Sequence, residues 1–219
     1  PLPESFLPVH PFDNGEMTVR DERLLPWPRP PDAVRREIAA YYGMITHMDA
    51  RIGRLLEILE ETGRADRTIV VFAGDNGLAL GSHGLLGKQN LYEHSVRVPL
   101  VMAGPGVPKG LRSEAFCYLF DLFPTLCGLA GVPVPAGVEG LALFPPGDGR
   151  PAKGRESVFT AYRSVQRAVR TDRWKLIRYP QINRTQLFDL ADDPFEMKDL
   201  ADDPAQAGRN MEVFTNCAT

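Results

Sequence analysis

Cysteine is scarce in this 219-residue chain, and the cysteines present form no recognisable pattern. Cys117, Cys127 and Cys217 are odd in number and include no CxxC pair, which argues against a disulfide framework or a zinc knuckle. Long apolar runs are lacking too, since no stretch approaches the ~20 residues needed to cross a bilayer. We therefore predict a chain without a membrane span.

An excess of positive charge is also absent. Lys and Arg number 25 against 28 Asp and Glu, a net charge of 25 minus 28, or -3. A broadly basic surface for nucleic acid is therefore not expected. The first residues, PLPESFLPVHPFDNGEM, lack the basic start and apolar core of a signal peptide. We interpret the start at Pro1 as the product of processing or truncation.

The first third of the chain divides into a proline-rich arm and a helix. Eight prolines between Pro1 and Pro31 predict an extended arm over a surface. Apolar residues from Val34 to Leu59 then recur at spacings of three and four, which predicts a long amphipathic helix. We expect Asp32 to be its N-cap and Gly63 to end it.

Strand patterns follow this helix. TIVVFAGDNG is typical of a buried parallel strand that runs out into a loop, and VRVPLVMAGPG repeats the pattern. SEAFCYLFDLFPTLCGLAG predicts a helix kinked near Pro124. Because strands and helices alternate, we predict an α/β sheet.

The last third has a different pattern. Gly and Pro are frequent over 132–155, which indicates a linker or a surface loop. SVFTAY, QRAVRT and RWKLIRYP are short and β-rich, and they predict an antiparallel meander. Leu-Ala-Asp-Asp-Pro occurs at Leu190 and again at Leu200, and we interpret the two copies as similar turns.

The densest candidate site lies at the predicted carboxyl end of the first strand. Asp75 and Asn76 offer a carboxylate and an amide oxygen, which are hard ligands for Ca²⁺ or Mg²⁺. Lys88, downstream, could hold an anion that such a cation also binds. Two alternatives stay open: Asn-Gly is a favoured turn dipeptide, and a lone lysine is normally a solvated charge.

Two further side chains near this site have open roles. His83 lies between two glycines and could either approach the same anion or donate to a loop carbonyl. Glu93 and Arg97 are four residues apart, which favours a local ion pair that orients the loop. Nucleotide fingerprints are absent, because Gln89 follows Lys88 where a phosphate loop needs Ser or Thr.

These stretches resemble a known family. YYGMITHMDARIGRLLEILEETGRADRTIVVFAGDNG and GSHGLLGKQNLYEHSVRVPLVMAGPG closely resemble the second half of type I sulfatases. DLFPTLCGLAGVPVP is similar to the helix that follows in that family, and WKLIRYP with QLFDLADDPFEMKDLADDP is similar to its C-terminal subdomain. The resemblance implies an alkaline-phosphatase-like α/β domain with a small antiparallel β subdomain. The chain would then divide into an arm at 1–31, the second half of the α/β domain at 32–145, and the subdomain at 146–219.

The resemblance also implies roles for single residues. Asp75 and Asn76 are similar to paired metal ligands, with Ca²⁺ expected rather than Mg²⁺. Lys88 is similar to the lysine that grips the sulfate, and His83 occupies a common family position beside it. The implied activity is hydrolysis of sulfate monoesters, with a sulfated small molecule or sulfated glycan as substrate and no nucleic acid partner. A periplasmic or secreted location is suggested by the same resemblance.

One part of the family pattern is missing. The family nucleophile is a formylglycine made from a Cys/Ser-x-Pro-x-Arg motif in the N-terminal half, and no cysteine or serine here satisfies that motif. We therefore interpret the chain as a C-terminal part of a sulfatase that is inactive alone. Two alternatives remain: a phosphodiesterase or phosphonate monoester hydrolase of the same superfamily, and a non-catalytic module.

Overall fold

In a computed structural model, the chain forms two compact units. The first unit comprises 1–43, 76–98 and 157–219, and the second comprises 44–75 and 99–156. The structure describes residues 1–144, 152, 154–206 and 208, so Cys217 and part of the predicted 132–155 linker lie outside the described residues. Within the described ranges, no helix is both long and apolar enough to cross a membrane.

Helix α1, Pro31–Glu61, confirms the periodicity of the sequence. Proline at its first position suits a helix start, where the missing N–H has no intrahelical partner. The predicted N-cap was wrong, because Asp32 lies inside the first turn and pairs with Arg35 at 2.8 Å. Gly63 ends the helix as predicted, with φ of 62° and its N–H donating to the Glu60 carbonyl at 3.0 Å.

Most of the apolar stripe of α1 faces solvent. Val34 and Ile38, near its start, are buried. Further along the helix the apolar side chains are open, with 44% of Met48 and 62% of Leu55 exposed. The stripe therefore predicted the helix correctly but not the burial of its far half.

Strands β1, Val70–Ala73, and β2, Leu100–Ala103, form a two-stranded antiparallel sheet in the second unit. The prediction of a buried parallel strand was wrong in both respects, because 37% of Phe72 and 60% of Val101 are exposed and the pairing is antiparallel. An apolar run indicates a strand that can be buried, but it does not encode the direction of its partner.

Helix α3, Leu122–Ala130, follows a 3-10 helix at Leu119–Asp121. The predicted kink is absent, because residues 113–118 are not helical and Pro124 lies in the first turn of α3. A proline there removes no intrahelical hydrogen bond, so the helix stays regular. A short helix, α2, Glu93–Val96, lies earlier in the chain in the first unit.

The meander predicted in the last third is confirmed in the first unit. Its sheet has the order β3-β4-β5-β6, with every neighbouring pair antiparallel. The strands are β3, Ser157–Tyr162, β4, Gln166–Thr171, β5, Trp174–Tyr179, and β6, Arg184–Asp189. The last of these was not predicted as a strand. With β1 and β2, this sheet makes the fold a mixed α/β architecture with two antiparallel sheets.

Each face of the four-stranded sheet contributes a buried cluster. One face packs on the segment that contains the candidate site, through a buried cluster of Ala79, Leu85, Leu91, Tyr92, Ala168, Ile177, Tyr179 and Phe188. The other face contributes a second cluster of Val169, Leu176 and Leu187, covered by Leu200 and Ala201. The two Leu-Ala-Asp-Asp-Pro copies form turns as predicted, and the second contains these covering residues. The segment that contains the candidate site therefore packs on this sheet.

Candidate functional site

Asp75 and Asn76 follow directly after the short loop that leaves β1. Asp75 is exposed and belongs to the second unit, whereas Asn76 is half-buried and belongs to the first. Gly77 does not have a positive φ, so the Asn-Gly pair is not the tight turn that was the main alternative. Instead a Cβ on Gly77 would lie 1.9 Å from the His94 carbonyl oxygen. Glycine is needed here because the backbone of α2 comes so close.

The chemistry of these two side chains fits a hard cation, but two oxygens do not complete a site. Ca²⁺ usually takes six to eight oxygen ligands. In the described part of the chain, no three His, Cys, Asp or Glu side chains are grouped so that they could hold a metal ion. Asp75 and Asn76 can therefore supply only part of a metal-binding set.

Lys88 is presented by a compact loop of the first unit. The loop closes on itself, because Ala79 N donates to the Gly87 carbonyl at 3.0 Å and Gly81 N to the Leu85 carbonyl at 2.7 Å. Residues 81–87 are buried, whereas Lys88 is exposed. The sequence placed Lys88 in a loop, and the structure shows that this loop is ordered by its own backbone. That Lys88 holds the same anion as a cation on Asp75 and Asn76 stays a prediction.

The proline-rich arm holds the end of this loop. The carboxylate of Glu22 accepts from the backbone N–H groups of Leu86, at 3.0 Å, and Gly87, at 2.8 Å. Arg29 pairs with the same carboxylate, and both side chains are buried. Sequence reasoning missed Glu22 and Arg29, because neither belongs to a periodic pattern or a motif. An arm predicted to be peripheral thus contributes a buried ion pair.

A second carboxylate of the arm, that of Asp21, contacts the residue after Lys88. The side chain of Gln89 donates to the Asp21 carboxylate at 3.0 Å, and Arg20 donates to it at 2.8 Å. These hydrogen bonds lower the pKa of Asp21, and the positive charge of Lys88 contributes in the same direction. Asp21 and Glu22 thus bond to the residues on either side of Lys88, Gln89 and Gly87.

His83 lies inside the first unit. Its ring stacks on Tyr92, with centroids 4.0 Å apart, and its Nε2–H donates to the Glu196 carbonyl at 3.1 Å. Burial lowers its pKa to about 4, although the backbone contacts oppose this shift. The ring is thus neutral near pH 7. Of the two roles left open by the sequence, this geometry matches donation to a carbonyl, and a role on the anion stays a prediction.

Glu93 does not form the predicted ion pair with Arg97. Its carboxylate contacts Lys175 Nζ at 2.9 Å and Arg170 Nε at 3.2 Å, both from the four-stranded sheet. Burial alone would raise the pKa of Glu93, but the charges of Lys175, Arg170 and Arg97 lower it. The residue that orients the start of α2 is therefore anchored across the fold rather than within its own turn.

Comparison with known proteins decides the family of this chain. The family model described as Sulfatase matches residues 8–132, which is more than half of the chain. A second family model, described as N-sulphoglucosamine sulphohydrolase, C-terminal, matches residues 81–215. The chain belongs to the sulfatase family. Both matches include the sulfatase loop that presents Lys88.

Curated relatives share this family. A choline-sulfatase of Rhizobium meliloti is 37% identical over 179 residues, which cover 78% of this chain and 34% of the relative. An N-acetylglucosamine-6-O-sulfatase of Bacteroides thetaiotaomicron is 34% identical over 187 residues, with coverage of 80% and 34%. The sulfatase chain thus spans about a third of the length of these relatives.

Solved structures agree with the predicted fold. A 2-O GAG sulfatase has a TM-score of 0.79 at 27% identity, covering 98% of this chain and 50% of its own. A phosphonate monoester hydrolase of Agrobacterium radiobacter has a TM-score of 0.71 at 30% identity, with coverage of 80% and 39%. The recognition as a sulfatase and the mixed α/β fold are confirmed, and the fold is shared with a phosphonate hydrolase.

Proposed function

We propose that this chain supplies one part of a sulfatase active site, namely the lysine that binds the sulfate group and some of the metal ligands. The observation that carries the proposal is Lys88, an exposed ammonium on a buried, self-bonded loop within the region that matches the sulfatase family. An ammonium held in this way can neutralise charge that develops on sulfuryl oxygens.

The proposed reaction is hydrolysis of a sulfate monoester, in which water and the ester give an alcohol and sulfate. In this proposal Lys88 binds a sulfuryl oxygen, and Asp75 and Asn76 direct their oxygens to a hard cation. Bound Ca²⁺ would supply Lewis-acid support for the same group. The formylglycine nucleophile and further ligands must come from polypeptide that corresponds to the unmatched part of the relatives.

The proposed substrates are sulfated small molecules or sulfated glycans. Support comes from relatives named for choline sulfate and N-acetylglucosamine-6-O-sulfate chemistry, at 37% and 34% identity. A phosphonate monoester is a second candidate, since the Agrobacterium radiobacter hydrolase shares the fold at 30% identity. Sulfuryl and phosphoryl esters have similar shape and need similar cation support, so activity on each kind of ester distinguishes the two candidates.

The test is turnover of a chromogenic aryl sulfate by this chain joined to an N-terminal sulfatase half with a modified Cys-x-Pro-Ser-Arg segment. We expect Lys88→Ala to reduce turnover ~10²-fold or more, because one preorganised charge donor is lost. Lys109→Ala is the matched control, since Lys109 is also exposed but lies outside the loop. Circular dichroism should show equal folding of all three proteins.

Three outcomes would contradict the proposal. Equal turnover in Lys88→Ala and the unaltered joined protein would make Lys88 a solvated surface charge. Activity of this chain alone would contradict the need for a second half. Turnover of an aryl phosphonate with none of the sulfate would favour the phosphonate hydrolase.

A further inference from the structure

We infer that Glu22 and Arg29 are positioning residues that fix the backbone on which Lys88 is presented, an inference that rests on the proposed function. The two residues come from the proline-rich arm, far from Lys88 in sequence. Both are buried, with 0% of Arg29 and 3% of Glu22 exposed. Their effect must therefore act through the loop.

Arg29 ties the arm and the loop together. Its Nε–H donates to the Gly84 carbonyl at 3.0 Å, inside the loop. The same guanidinium donates to the Glu22 carbonyl at 2.8 Å, to the Leu25 carbonyl and to the Glu22 carboxylate. A buried guanidinium that donates hydrogen bonds to all of these acceptors has little freedom to move, so Arg29 is a rigid anchor for Glu22.

Glu22 transmits this anchoring to the residues just before Lys88. Its carboxylate accepts from two successive backbone N–H groups, those of Leu86 and Gly87. A Cβ on Gly87 would lie 2.9 Å from the Cβ of Asp21, so the arm and the loop are already at contact distance. The peptide that leads into Lys88 is therefore held by a charge-assisted pair of hydrogen bonds.

The residue after Lys88 is tied to the same part of the arm. Asp21, the neighbour of Glu22 in the 3-10 helix Asp21–Leu24, accepts from the side chain of Gln89 at 3.0 Å. Both sequence neighbours of Lys88 are thus bonded to one turn of the arm. Lys88, between these two residues, is exposed, so its backbone is held while its side chain faces solvent.

The loop needs such an anchor because part of its backbone is strained. Leu80 and His83 have φ values of 46° and 54°, a region that costs non-glycine residues free energy. Such conformations persist only where surrounding contacts hold them. Loss of the Glu22 carboxylate should therefore loosen the loop end and spread the positions of the Lys88 ammonium, which weakens its preorganisation.

The first test measures the loop directly in this chain. Glu22→Gln removes the charge, and Glu22→Gln with Arg29→Met removes both members of the pair, so that no unpaired buried charge remains. We expect amide hydrogen exchange at Leu86 and Gly87 to accelerate at least ~10-fold in both variants. Unchanged exchange at these two amides would overturn the inference.

Asp189→Asn is the matched control. Asp189 is also a buried carboxylate of the first unit that pairs with an arginine, Arg173, and accepts from a backbone N–H, that of Ala191. We expect exchange at Leu86 and Gly87 to stay unchanged in this variant. Acceleration there would show general loosening of the unit rather than positioning, and it would also overturn the inference.

The second test links the loop to the reaction in the joined protein described above. A positioning role predicts that Glu22→Gln lowers kcat at least ~10-fold in the presence of Lys88 but has little further effect in the Lys88→Ala background. Additive effects in the two backgrounds would indicate a merely structural role.

The two proposals fail in different ways. If Lys88→Ala reduces turnover and Glu22→Gln does not, the positioning inference fails and the proposed function stands. If Lys88→Ala leaves turnover unchanged, the proposed function fails, and the positioning of a catalytic lysine fails with it. Amide exchange then still decides whether Glu22 holds the loop.

Discussion

Lys175 Nζ lies 2.8 Å from Glu196 Oε1, with 1% of the lysine side chain and 2% of the glutamate side chain exposed. The same ammonium contacts Glu93 Oε1 at 2.9 Å, and Glu196 Oε2 accepts from the backbone N–H of Glu93. A lysine from the centre of the sheet thus contacts both carboxylates, Glu93 has Arg170 as a second cation, and the start of α2 is fixed. Because the network is buried, removal of one of its members should lower the free energy of unfolding strongly, whereas added salt should change it little. The network also constrains the site segment through residues that are distant in sequence.

Lys175→Met should destabilise the first unit by about 3–5 kcal/mol, because it leaves the buried Glu196 carboxylate without the Lys175 ammonium. Both tryptophans, Trp27 and Trp174, belong to the first unit, so intrinsic fluorescence during urea unfolding reports on that unit. Asp189→Asn, which removes the charge of a buried carboxylate elsewhere in the first unit, is the variant with which the free energy of unfolding of Lys175→Met is compared. A loss below about 1 kcal/mol for Lys175→Met would show that the network contributes little.

Acidification should destabilise the first unit through His10 and His83. Burial lowers the pKa of each from 6.5 to about 4. The unfolded chain therefore binds protons at these residues below pH 6.5 while the folded chain does not. Stability is full above pH 6.5 and falls as the pH falls towards 4, by up to about 3 kcal/mol for each histidine.

Urea unfolding followed by fluorescence between pH 7 and 4.5 checks this prediction. In His83→Asn the free energy of unfolding should depend less on pH, because one depressed pKa is removed. Asparagine is chosen because it tolerates the positive φ of this position. His47→Gln is the control, since His47 is exposed on α1 and should leave the dependence unchanged. An equal dependence in all three proteins would contradict the assignment.

Gly77→Ala should destabilise the first unit by at least about 1–3 kcal/mol, because the new Cβ would lie 1.9 Å from the His94 carbonyl oxygen. Gly53→Ala is the opposite case. Gly53 lies within α1, and a methyl group added there would meet no atom within 4 Å apart from its neighbours and the backbone of the helix itself, so alanine should stabilise the helix by about 1 kcal/mol. Thermal unfolding of both variants by circular dichroism checks the signs, and a stable Gly77→Ala protein would show that α2 can move away.

Calcium should bind this chain weakly or not at all. Only Asp75 and Asn76 are proposed as ligands here, and Ca²⁺ normally takes six to eight oxygens. Calorimetry with Ca²⁺ should therefore record little heat. Affinity in the micromolar range or tighter, lost in Asp75→Ala, would show that other residues of this chain complete the site.

The local elements were largely predictable from the sequence. The spacing of apolar residues from Val34 to Leu59 predicted α1, because helical periodicity depends only on neighbours three and four residues away. The β-rich runs of β3, β4 and β5 predicted the meander for a similar reason. By contrast, β6 was missed, because its strand character depends on pairing with β5, where Leu187 lies opposite Leu176.

The chemistry of the candidate site was visible in the sequence, but its supports were not. Asp75, Asn76 and Lys88 were identified by residue type, order and family resemblance. Glu22 and Arg29 gave no signal in the arm, although they hold the loop that presents Lys88. Likewise, Glu93 was expected to pair within its own turn, and its partners proved to be Lys175 and Arg170 from distant strands.

The sequence by itself therefore determined the sulfatase family, the amphipathic helix, the meander and the residue types of the site. Only the tertiary structure decided that β1 and β2 pair antiparallel, that His83 is enclosed against Tyr92, and that the arm is tied to the loop. The physical reason is the range of the interactions. Helical periodicity and turn chemistry act between near neighbours, whereas strand pairing and buried ion pairs join residues separated by many positions, and their partners exist only once the chain has folded.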